Sequence, residues 1–205
     1  MKNKMTVYRK KELLNAVTYG FYGLIIIFIS GFMDSESRSS VFLFIKMILG
    51  VLGVVLVLLG TDKISDNYEQ KWIGKLALVT CVVFVGINLF FNGLIIALII
   101  NLCIAAGKYY YLKGLAVESR MIKSKNYEEN LNLAANLVVI LPVILIIASF
   151  VPDLAEGISF LLLLVFVISG IVNISILFIL YDLRNRVKFF SITEDENIIR
   201  TMKKY

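Results

Sequence analysis

The residues best suited to chemistry in this chain lie inside apolar sequence. Lys46 is followed by Gly50, Gly53, Val57 and Gly60 at steps of four, three, four and three, which puts all five on one helical face. Small residues along a stripe let a second helix approach closely, so Gly50, Gly53 and Gly60 read as a helix-packing stripe. Lys46 then turns into the bundle, where an ammonium costs roughly 2.5–3.5 kcal/mol at the helix centre and marks a functional position that needs a partner. Asp34, Glu36, Asp153 and Glu156 are the acids on offer. The competing reading has the lysine stem snorkel to the nearby outer boundary.

Asparagines form a second polar set. Asn88, Asn101, Asn136 and Asn173 fall one in each of the last four apolar stretches. Ala97, Asn101 and Ala105 make a small-polar-small face, and Ser169 and Asn173 lie one turn apart. Such amides hold helices together at about 0.6 kcal/mol each. The sharper reading makes Lys46, Asn101 and Asn173 an intramembrane site for a small polar solute. Cys81 and Cys103 sit at matching depths either side of Asn92-Gly93. A disulfide needs their α-carbons within about 7 Å. Otherwise each packs as a small hydrophobe.

Absences narrow the chemistry further. The chain has no histidine, no paired carboxylates within its apolar stretches and no Gly-rich phosphate loop. The serine-histidine, aspartyl-dyad and histidine-metal membrane proteases each lack a required part. The expectation is therefore a protein that is not an enzyme and carries no cofactor or metal.

These residues must be positioned by six apolar stretches, near 13–32, 41–60, 74–91, 93–111, 133–151 and 158–181. Each is close to the roughly 20 residues that cross a 30 Å hydrocarbon core. The charge-free run from Leu76 to Gly107 would make one helix of about 48 Å, too long for a bilayer, and the Asn92-Gly93 turn signal divides it. Mean hydropathy is +0.85, with 59% hydrophobic residues and two prolines. The expected fold is an all-α integral membrane protein, with six transmembrane helices arranged as three hairpins.

Charge orients that bundle. Of 21 lysines and arginines, Arg38 alone falls in a predicted exterior loop and Lys46 within a span. The remainder lie in segments that become cytoplasmic if both ends are inside. Residues 1–12 and 182–205 then form cytoplasmic ends, and Leu112–Asn132 a long solvated connector, with a short cytoplasmic helix able to meet a partner as the alternative. The net charge of +6 fits insertion and an anionic inner leaflet, not nucleic acid. Tyr109, Tyr110 and Tyr111 read as interfacial belt residues. Ile192 to Met202 alternates apolar and charged residues, which reads first as a solvated tail and second as a surface-lying helix.

Two functions fit best. The first is a non-catalytic protein acting through partner contact, as an accessory subunit of a membrane complex or an immunity protein. The second is a transport component, either a solute-binding membrane subunit or a six-span permease half working with an ATPase. Thr61–Lys75 or the long connector would dock that ATPase. A lipid-modifying enzyme ranks third. The expected partners are the lipid bilayer and a membrane protein or second copy, and the expected setting is a bacterial plasma membrane.

Overall fold

The computed structural model describes residues 7–32, 40–65, 68–88, 93–122, 125–149 and 155–189. Among them the protein is all-helical: α1 (Val7–Phe32), α2 (Ser40–Asp62), α3 (Lys71–Asn88), α4 (Leu94–Ser119), α5 (Lys125–Ser149) and α6 (Ala155–Phe189). A single 3-10 turn, Arg120–Ile122, follows α4. Helices α1, α2, α3, α4 and α6 are each long and apolar enough to cross a membrane. The chain is a multi-pass membrane protein. Without water at membrane depth, backbone groups must bond within each helix, and large apolar side chains such as Leu43, Leu52, Val83 and Phe178 can remain exposed.

Successive helices run in opposite directions. Gly23 meets Gly53 while Ala16 meets Gly60, so α1 and α2 are antiparallel. Arg9 bonds Glu118 and Ala16 bonds Tyr111, which opposes α1 to α4. Gly74 lies against Tyr110 and Gly107 against Leu78, which opposes α3 to α4. Thr18 meets Arg184 and Phe21 meets Tyr181, opposing α1 to α6. Tyr127 near the start of α5 bonds Asp182 near the end of α6. The start of α1, the α2–α3 and α4–α5 junctions and the end of α6 therefore share one end of the bundle.

The first hairpin is closed by glycine. A methyl group on Gly53 would lie 2.7 Å from the Ile27 side chain and 2.8 Å from the Gly23 carbonyl oxygen. One on Gly60 would lie 2.9 Å from the Ala16 carbonyl oxygen. One on Gly20 would lie 1.9 Å from the Tyr111 hydroxyl. Backbone meets backbone here, and only a missing Cβ permits that approach. Gly50 is looser, with Ser30 Oγ at 3.8 Å as its nearest neighbour.

Two expectations need correction. Leu112–Asn132 is not a solvated connector. It is the end of α4, a 3-10 turn and the start of α5, and Leu112, Leu115, Ile122, Tyr127 and Leu131 are core residues. Its apolar residues recur at helical spacing, so one face is buried although the segment is polar on average. Tyr111 is not a belt residue: it is fully buried, and its hydroxyl donates to the Ala16 carbonyl at 3.0 Å. Helix α6 continues to Phe189, so residues 182–189 are helical, with Leu183 and Val187 buried. Asp34, Glu36, Arg38, Asn92, Asp153 and residues 192–202 lie outside the described residues, as does the side chain of Glu156.

Candidate functional site: a lysine-bearing cavity among four helices

Helix α4 meets a different neighbour on each side near its middle. Gly107 receives Leu78 of α3, Tyr111 enters the α1–α2 contact, and Lys108 is left to face α6. Its ammonium donates to the Asn173 Oδ1 at 3.0 Å, and the Asn173 amide nitrogen donates to the Ser169 carbonyl at 2.8 Å. Helical side chains lean toward the N-terminus of their helix, so Lys108 reaches away from the charged end of the bundle. An ammonium held this way costs roughly 2.5–3.5 kcal/mol if at membrane centre, and one amide dipole offsets only part of that.

Beside this pair lies a cavity of about 480 Å³, bounded by α1, α4, α5 and α6. That size is within the roughly 300–1,000 Å³ of small-molecule sites, as is its mostly apolar lining. Ile27, Phe28, Leu98, Ile104, Val138, Leu141 and Phe166 supply apolar surface, and Asn101, Lys108, Ser169 and Asn173 the polar groups. Gly31 and Gly170 also line it, and a Cβ on either would meet nothing within 4 Å. Pro142 in α5 has no N–H to give the Val138 carbonyl one turn earlier, so an acceptor is left open beside the wall.

Of the sequence-derived site, Asn101 and Asn173 share this cavity, and Lys46 is not among its lining residues. Lys46 is half-buried near the start of α2, beside exposed Leu43, Phe44, Ile45 and Ile48. No ion pair or hydrogen bond involves it among the described residues. Lys108 is the site residue that sequence reasoning misses, because it stands at the end of the charge-free run from Leu76 to Gly107, where a lysine reads as a boundary. The signal was present: Asn101, Ala105 and Lys108 continue one face at steps of four and three. Asn101 donates to the Ala97 carbonyl of its own helix at 3.0 Å. Asn136 is exposed, and Asn88 Oδ1 is buried with no hydrogen-bond partner among the described residues. Cys81 and Cys103 are both free thiols. No group of His, Cys, Asp or Glu able to hold a metal occurs among the described residues.

No family model, curated protein or solved structure matches this chain.

The charged end of the bundle is built differently. Glu118, fully buried, accepts from Arg9 and from the Ser65 backbone N–H at 2.8 Å, and Arg9 also bonds Glu12 at 2.9 Å. Lys71 caps the Ile64 carbonyl at 3.0 Å, and Lys75 pairs with Asp62. The Thr61–Lys75 segment is thereby tied to α1 and α4, and among its described residues beyond Asp62 those exposed are Glu69, Gln70 and Trp72. Burial, and then Tyr109 and Tyr110, push the Tyr68 phenol up to about 12, so it stays neutral. Arg186 lies over the Tyr127 ring at 5.2 Å, and Arg184 over Tyr22 at 5.6 Å.

Proposed function

We propose that this protein is a six-span membrane component that binds a small molecule within its helical bundle, as the solute-binding or permease part of a transport system. The observation that carries the reading is the cavity of about 480 Å³, apolar in most of its lining and polar at Asn101, Lys108, Ser169 and Asn173. Helix α5 is the sixth span on this reading. Arg9, Lys63, Lys75, Lys113, Arg120 and Arg186 belong to the charged end, which the positive-inside rule assigns to the cytoplasm together with both chain ends. A bacterial plasma membrane fits the short loops.

The glycine stripe of α2 is occupied by α1 of the same chain, so it offers no face to a second protein. An ATPase partner would instead use the charged end, near exposed Trp72.

Gly170→Phe tests the reading, because it fills the cavity at a position where a side chain meets no neighbour within 4 Å. Wild-type protein purified in mild detergent should retain a small-molecule adduct in native mass spectrometry, and the variant should lose it while remaining folded. Equal adducts on both would remove the cavity from the function. A membrane protein co-purifying in equal amount with both forms, without any adduct, would favour the accessory-subunit or immunity reading.

A further inference from the structure

We propose that the ligand of this cavity is a single-chain amphiphile with a carboxylate head, held at Lys108. The inference rests on the small-molecule reading above and names the class of molecule.

Charge comes first. Among the described residues no carboxylate lines the cavity and none pairs with Lys108; its one described polar contact is the neutral Asn173 amide. An ammonium carries three N–H groups, and Asn173 takes one. The amide nitrogens of Asn173 and Asn101 each give one N–H to a carbonyl of their own helix and keep a second. What remains for a ligand is one positive charge with two N–H groups, those two amide N–H groups and the Ser169 hydroxyl. A singly charged, two-oxygen head matches the one charge, whereas a phosphate monoester would bring more charge than Lys108 neutralises.

Shape gives the remainder. From Leu98 to Lys108 the cavity follows α4 for about 15 Å at 1.5 Å per residue. Lys108 is rooted at one end of that length, Asn101 adds an amide along it, and Leu98, Ile104, Leu141 and Phe166 line the rest with hydrocarbon. Gly31 and Gly170 leave the wall free of side chains. A site that is long, apolar and charged at one end suits an acyl chain with an acidic head better than a compact polar solute.

The probe is a diazirine-bearing palmitate photolabel on the intact purified protein, with unlabelled competitors. Palmitate should compete at least about tenfold better than hexadecanol, which has the same chain and no charge. Lys108→Met should reduce labelling by a similar factor and Lys108→Arg should retain most of it. Hexadecanol matching palmitate on the wild-type protein would overturn the proposal without needing any variant to fold. A lysophosphatidate competing better than palmitate would overturn the carboxylate head. Should both neutral and acidic probes label wild type equally and fail with Gly170→Phe, the cavity stands as a binding site and the anion assignment falls. Labelling that ignores both competitors and Gly170→Phe would bring down both readings.

Discussion

The two sides of α4 are packed by opposite means. Toward α1 and α2, glycines remove side chains so that backbones touch and Tyr111 fills what is left. Toward α5 and α6, glycines of the same kind leave open space, because at Gly31 and Gly170 no neighbour moves in. A small residue is thus not in itself a packing signal. What it does depends on whether the facing helix comes in close, as Gly23 does at Gly53, or leaves the space open, as at Gly31 and Gly170.

The sharpest way to break this contrast is at the closed side's charged end. Glu118→Ala leaves Arg9 without its buried partner and the Ser65 N–H without an acceptor, and should destabilise the bundle by about 3 kcal/mol or more. A thermal-unfolding midpoint in detergent equal to wild type would show that this end is not tied. Gly53→Leu comes next. Its side chain meets the Gly23 carbonyl and Ile27, so a loss of about 2–3 kcal/mol and poor recovery of monodisperse protein are expected, whereas Gly170→Ala should be neutral or stabilising by about 0.5 kcal/mol. Similar losses at both positions would erase the difference between the sides. The smallest effect belongs to Lys46→Met, expected within about 0.5 kcal/mol of wild type and without change in ligand retention. A clear loss of binding with intact folding would return Lys46 to the site.

Much of the helical layout was legible because membrane-length apolar runs leave few alternatives to a helix. The glycine face of α2 was legible for a similar reason: steps of four and three define a stripe whatever lies opposite. Lys108 was not. A charge near the end of an apolar run is naturally taken as its boundary, and nothing local says whether the stem leans outward or inward. Only the direction of α4 and the position of Asn173 on another helix decide that. The 112–132 segment misled through its average polarity. Glu118 is polar yet fully buried, and its partners, Arg9 and Ser65, sit in other parts of the chain; buried Ser119 donates to the Ala116 carbonyl one turn earlier.

The bond between Arg9 and Glu118 also has a timetable. Its partners are 109 residues apart, so Arg9 is made roughly 5–20 s before Glu118, at 5–20 residues per second. The first hairpin can zip along its glycines during that interval, but the clasp at its charged end has to wait for the fourth helix. A chain stopped before Glu118 would hold a paired α1 and α2 with that end still undone.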